Sequence, residues 1–172
     1  ASQKNVDTGM GLERTLAILN GKESVFETDV FLPIIKEIEI ISGKDYQSNQ
    51  REFRIIADHI KAAVFLASEG IVPSNLERGY VLRRLIRRAI RYGKTLKMPD
   101  NFTEALVKKV IEIYERVYPE LKERERDIIF IVLQEEEKFE KTLERGLSEF
   151  NKIIKRLIEK GGVTDFLKLN GK

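Results

Sequence analysis

Cysteine is absent from this 172-residue chain, and histidine occurs once. The first absence excludes disulfides, thiolate metal ligands and a cysteine nucleophile; the second excludes any site built on two imidazoles. Tryptophan is also missing, and only 4 prolines interrupt the chain. No uncharged stretch exceeds seven residues, the longest being 15–21, 62–68, 70–76 and 128–134. A membrane span needs about 18 apolar residues, so no membrane partner is expected. A signal-peptide pattern is lacking at the N-terminus, which makes the cytoplasm the expected compartment. With 31 Lys+Arg against 28 Asp+Glu the net charge is +3, a value that carries meaning only through its distribution.

Strand signals are nearly lacking as well, and what is present is helical periodicity. Residues 11–20 read as a helix with Leu12, Leu16 and Leu19 on one face. A second helix, capped by Thr28 or Asp29 and admitting Pro33 near its first turn, runs to about Ile41 and stops at Ser42-Gly43. After a polar loop from Lys44 to Gln50, the apolar positions Phe53, Ile56, Ala57, Ile60, Val64 and Ala67 keep helical phase up to Gly70. Gly70 to Asn75 is a turn, Tyr80 to Tyr92 a helix closed by Gly93 as a left-handed cap, and 102–117 another helix. Tyr118-Pro119 breaks the chain before a long helical block over 120–160. The expected fold is an all-α multi-helix bundle of about five or six helices, with a long C-terminal helix and a short strand-like remnant at Asn5–Thr8. Phe102, Tyr114, Phe130, Phe139 and Phe150 fall at core spacings and are read as packing residues.

Two segments carry charge or shape beyond what a bundle requires. Residues 5–14, NVDTGMGLER, place Gly9 and Gly11 between a strand-like stretch and a helix. Such glycines permit a sharp turn and close approach to a ligand, and helix-start N–H groups favour an anion. By spacing alone this reads first as a glycine turn capped by a helix with a surface arginine, and Glu13 is equally a dipole-favoured first-turn residue. The second segment, Arg78 to Lys94, holds seven basic residues and no acid, so the other 155 residues net −4. At about 100° per residue, Arg83, Arg84, Arg87, Arg88, Arg91 and Lys94 share an arc of roughly 140°, with Val81, Leu82, Leu85, Ile86, Ala89 and Ile90 opposite. Like charges stacked at i, i+4 repel, so this face is expected to meet phosphates. The alternative is a face neutralised by acids elsewhere, such as Glu135 to Glu137. His59, flanked by Ile55, Ile56, Ile60 and Val64, is either an RNA contact or a hydrogen-bonded, partly buried structural residue.

The string VDTGMGLER resembles motif 3 of the class II aminoacyl-tRNA synthetases in its alanyl form, and residues 54–93 (RIIADHIKAAVFLASEGIVPSNLERGYVLRRLIRRAIRYG) resemble the start of the tRNA-recognition region of that family. LQEEEKFEKTLERGLSEF (133–150) is similar, more loosely, to its helical bundle. The resemblance implies that Arg14, with Gly11, binds ATP at the γ-phosphate, where a guanidinium fork suits polyphosphate. It implies that Asp7, with Gly9, binds the ammonium of alanine. For the acceptor stem of tRNA(Ala) it implies contacts from Asn75, at a G·U wobble pair, and from Arg78, Arg83, Arg84, Arg87, Arg88, Arg91 and Lys94. Residues 1–20 would then be the edge of a catalytic domain, 21–160 a helical tRNA-recognition domain and 161–172 a tail that fits the family poorly. The family's catalytic sheet and editing domain would lie outside this segment. The whole enzyme would be an alanine–tRNA ligase using ATP with Mg2+; the segment alone is expected to be inactive, to bind no cofactor and to hold no metal. Two other classes stay open: a non-enzymatic basic helical nucleic-acid-binding domain, and an interaction module that pairs through the long 120–160 helix.

Overall fold

The computed structural model describes residues 8–159. The expected strand residues Asn5 to Asp7, and with them the alanine-binding candidate Asp7, lie outside the described residues, as does the 161–172 tail. Thr8 to Met10 have no regular structure. Seven α-helices are present among the described residues, one more than the upper expectation. They are α1 (Leu12–Leu19), α2 (Leu32–Ser42), α3 (Gln50–Ser68), α4 (Glu77–Thr95), α5 (Phe102–Tyr114), α6 (Pro119–Glu123) and α7 (Glu125–Glu159). The additional helix arises because the block after Pro119 is interrupted at Arg124, whose guanidinium donates to the Ser68 carbonyl at the end of α3. No strand occurs among the described residues. The chain divides into two compact units, one ending at Glu136 and the other beginning at Glu137.

The first unit is organised around α3 and α4, two 19-residue helices that form a helical hairpin. Phe53, Ile56, Ile60 and Val64 of α3 and Leu82, Ile86 and Ile90 of α4 are fully buried, each contributing about 1.5–3 kcal/mol relative to exposure. Ile34, Ile35 and Ile38 of α2 and Leu106, Val110 and Ile111 of α5 complete the core, with Ile128 and Val132 entering from α7. In the second unit α7 continues to Glu159, with Leu147, Phe150, Ile153 and Ile158 exposed.

Several expectations are corrected. Gly93 is not a left-handed cap: α4 runs on to Thr95, and Gly93 is buried within it, where a Cβ would collide with the Phe102 ring. Glycine is needed there for close packing of α5 and not for backbone freedom. α2 begins at Leu32 and not at Thr28 or Asp29, because the Thr28 hydroxyl turns back to the Val25 carbonyl (2.5 Å) beside a single turn of 3-10 helix, Val25–Glu27. In α1 the expected apolar face fails: Leu12, Ile18 and Leu19 are exposed and Ala17 is the buried residue. Phe102 and Tyr114 are core residues, but Phe130 and Phe150 are exposed. The inward stripe of α7 runs through Ile128, Val132, Glu135 and Glu136, and Phe130 lies about 200° around the helix from Ile128.

Candidate functional site

The Pro-Ser-Asn turn is held against the first turn of α4 by its own backbone. Ser74 donates its N–H to the Gly79 carbonyl (3.1 Å), and its hydroxyl donates to the Leu76 carbonyl (3.0 Å). A Cβ on Gly79 would sit 2.5 Å from the Val72 carbonyl oxygen and clash with Ser74, so only glycine admits this approach. Glu77 enters α4 with φ +48°, a left-handed conformation disfavoured for a residue with a Cβ. The turn is therefore a defined structure that fixes where Asn75 points. Arg83 donates to the Asn75 side-chain oxygen. Because a guanidinium only donates, this contact orients the amide, leaving its two N–H donors and one lone pair for another partner.

The basic arc is partitioned by the fold. Arg87 is bound by Glu135 (2.5 Å), whose side chain is only 6% exposed, and Lys94 is bound by Asp100 (2.5 Å). Glu135 is thus an acid of the neutralising kind, acting on one arginine of the arc. Arg83 is engaged by Asn75 and lies over the Tyr80 ring. Arg78, Arg84, Arg88 and Arg91 are exposed and make no ion pair among the described residues. Of these, Arg84, Arg88 and Arg91 recur at i, i+4, i+7 as one stripe. Beside it lies a cleft of about 190 Å³ lined by His59, Tyr80, Val81, Arg84, Leu85 and Arg88. Val81, expected to be buried, is half exposed and Leu85 is partly buried, since both form the floor of this cleft. His59 Nδ1 is 3.0 Å from Asp58 Oδ2, and its side chain is 13% exposed. The ring is thus partly buried and hydrogen-bonded, yet it also forms part of the cleft wall.

On the other side of α3 a second cleft, of about 360 Å³, is lined by Glu13, Arg14, Val25, Phe31, Asp58 and Lys61. Arg14 is exposed and folds back so closely that a Cβ on Gly11 would lie 3.0 Å from its Nε. Gly9 is exposed, with open space around its Cα. Glu13, ambiguous in the sequence, accepts a hydrogen bond from Lys61 of α3. The Lys61 ammonium is 5.0 Å from the centre of the Phe31 ring and 5.3 Å from that of Tyr114. That hydrogen bond holds the Glu13 carboxyl below its ordinary value despite partial burial. Burial pulls the Lys61 ammonium down, but the bond to Glu13 together with the charge of Glu13 and the Tyr114 hydroxyl outweighs it and the net shift is upward. Burial raises the Tyr114 hydroxyl. A charge-assisted hydrogen bond of this kind contributes about 1.5–3 kcal/mol. Among the described residues no group of three or more His, Cys, Asp or Glu could hold a metal ion, and no helix is long and apolar enough to cross a membrane.

The Glu13–Lys61 pair makes stability pH-dependent at both ends. A carboxyl whose folded value is depressed stabilises above its unfolded value, near 4.5, and that stability is lost as pH falls through the folded value. A lysine raised above 10.5 stabilises below that value and loses the contribution as pH rises past the folded one. Between about pH 6 and pH 3, wild type should lose about 1–2 kcal/mol more than Glu13→Gln in thermal unfolding. Parallel losses in the two proteins would show that the pair contributes nothing.

Gly79, Lys61 and Glu135 carry much of this geometry and were not distinguished as site residues by sequence. A glycine inside a helical pattern was the available signal for Gly79. For Lys61 there is none, because its partner lies 48 residues away; Glu135 is among the acids the sequence offers to neutralise the arc, but only the fold brings it to Arg87, also 48 residues away.

Comparison with known proteins agrees with the motifs. The family described as tRNA synthetases class II (A) matches residues 1–166. The chain is similar to the alanine–tRNA ligase of Borreliella afzelii (strain PKo), 55% identical over 163 residues, covering 92% of this chain and 27% of that protein. To the alanine–tRNA ligase of Bacillus subtilis (strain 168) it is 46% identical over 162 residues, covering 92% of this chain and 18% of the relative. The chain therefore spans about a quarter or less of the length of these relatives.

Proposed function

This chain belongs to the class II tRNA synthetases of type (A), and from that premise we propose that it is the tRNA-recognition part of an alanine–tRNA ligase, joined to the end of the catalytic motif that binds ATP. The whole enzyme activates alanine with ATP and Mg2+ and transfers it to tRNA(Ala). This segment grips the acceptor stem, and by itself it forms no adenylate. The observation that carries the reading is the division of the basic arc. Three of its cations are held by hydrogen bonds within the protein, while Arg84, Arg88 and Arg91, with Arg78, stay exposed and form no ion pair among the described residues, Arg84 lying over the Tyr80 ring. Four such cations match about four phosphates, for which log K should fall against log[salt] with a slope near −3 to −4.

Asn75 would read the edge of a base pair, a role supported by its glycine-locked turn and by the Arg83 contact that orients its amide. Its free amide donors and remaining lone pair suit the wobble G·U pair of the stem. Arg14 would hold the γ-phosphate of ATP, with Gly11 leaving room for the guanidinium to fold over the backbone. Mg2+, when bound, would neutralise charge on the phosphates of ATP, including the departing pyrophosphate, and the described residues supply no cluster to hold it. Asp7 and Gly9 would contribute the ammonium site and a small pocket for alanine.

Asn75→Ala tests the readout directly. With RNA hairpins that differ only in G·U against G·C at the wobble position, discrimination should fall by about 10-fold, the scale of one good base-edge contact, while the salt slope is unchanged. Equal weakening on both hairpins would refute the readout role.

A further inference from the structure

The glycine motif and the RNA-binding hairpin are joined through one charged contact, and its placement suggests a purpose. α1 carries Arg14 but buries little of itself: Leu12, Ile18 and Leu19 are exposed, Leu16 is half-buried, Ala17 is its buried residue, and its packing neighbour is the single 3-10 turn Val25–Glu27. Hydrophobic packing therefore fixes the pose of this eight-residue helix only weakly. Glu13, the neighbour of Arg14, is bound by Lys61 on α3. Lys61 is itself confined, with its ammonium between the Phe31 and Tyr114 rings and its side chain 17% exposed. Asp58, one turn earlier on α3, lines the same cleft as Glu13, so removal of the lysine charge would leave two carboxylates facing each other.

We propose that Lys61 and Glu13 are positioning residues: their ion pair clamps α1 onto α3 and so sets the direction in which Arg14 presents its guanidinium to a nucleotide polyphosphate. The proposal rests on the reading of Arg14 as an ATP ligand. α3 then serves both sites, because its Asp58–Lys61 face touches α1 while His59 lines the cleft beside the arginine stripe.

The test uses the full-length synthetase that carries this segment and measures ATP–pyrophosphate exchange. Lys61→Met should raise the KM for ATP about 10-fold, with kcat and the KM for alanine changed less than about 2-fold. Lys61→Arg, which keeps the charge, should restore the wild-type KM, and Asp58→Asn added to Lys61→Met should recover part of the loss by removing the opposing carboxylate. Glu13→Gln, a milder change, should raise the same KM in the same direction. Hydrogen exchange of the α1 amides should quicken in Lys61→Met and return to normal in Lys61→Arg. An unchanged ATP KM in Lys61→Met, with wild-type exchange intact, overturns the clamp alone. An equal fall in kcat without a KM effect overturns it as well, since that pattern marks general damage. Failure of wild type to catalyse exchange overturns both the clamp and the functional reading beneath it.

Discussion

The double variant Arg84→Ala/Arg88→Ala is expected to lose about 40-fold in affinity for an acceptor-stem hairpin near 0.1 M salt, and its log K–log[salt] slope should become shallower by about 1.5–2. Both side chains are exposed, so the fold should be perturbed by no more than about 0.5 kcal/mol and the thermal midpoint should hardly move. Arg87→Ala should do the reverse. Its removal strips a partner from Glu135, a carboxylate only 6% exposed, at a cost of about 1.5–3 kcal/mol in stability, while the salt slope changes little. Two adjacent arginines of one helix would thereby separate into an RNA ligand and a structural counter-ion. Filter binding over a salt series, with melting curves on the same proteins, measures both quantities. A slope unaffected by the double variant would refute phosphate contact by this stripe.

Gly79→Ala should produce the second large effect, and by a different route. The new Cβ would meet the Val72 carbonyl oxygen and the Ser74 side chain, and backbone atoms cannot yield as a flexible side chain can. Alanine improves helix propensity by about 0.8–1 kcal/mol, but overpacking of this kind costs about 1–3 kcal/mol. The segment over 72–75 must move off α4, breaking the Ser74–Gly79 hydrogen bond and taking Asn75 away from Arg83. Discrimination between G·U and G·C hairpins should therefore collapse by about 10-fold, as for Asn75→Ala, although Asn75 is still present. The phosphate-dependent slope should stay at its wild-type value. Retained discrimination in a folded Gly79→Ala protein would show that Asn75 does not depend on this turn.

Helical phase in the sequence was enough to place the start of α3 within one residue and that of α5 at Phe102, and α2 at its Gly43 end, while α5 stops three residues short of the expected 117. It failed where tertiary contacts chose the outcome. α4 passes through Gly93 because the Phe102 ring fills the space of the missing side chain. α1 leaves Leu12 and Leu19 exposed and Leu16 only half-buried because it is attached through the Glu13–Lys61 pair and the 3-10 turn Val25–Glu27, not through the expected leucine stripe. The break at Arg124 goes with a contact to Ser68, 56 residues earlier.

Composition and periodicity alone determined that the chain is helical, that cysteine and multi-histidine chemistry are excluded, and that seven positive charges gather on one helix. Those properties are local, summed along a single element, and need no knowledge of distant neighbours. Tertiary structure decided which of the charges remain available. Glu135 and Asp100 neutralise Arg87 and Lys94, and Asn75 engages Arg83, while Leu82, Ile86, Ala89 and Ile90 on the opposite face of α4 are buried in the core. An ion pair depends on two side chains meeting within a few ångströms. Periodicity can assign each to a face of its own helix, but only packing of the helices brings those faces together.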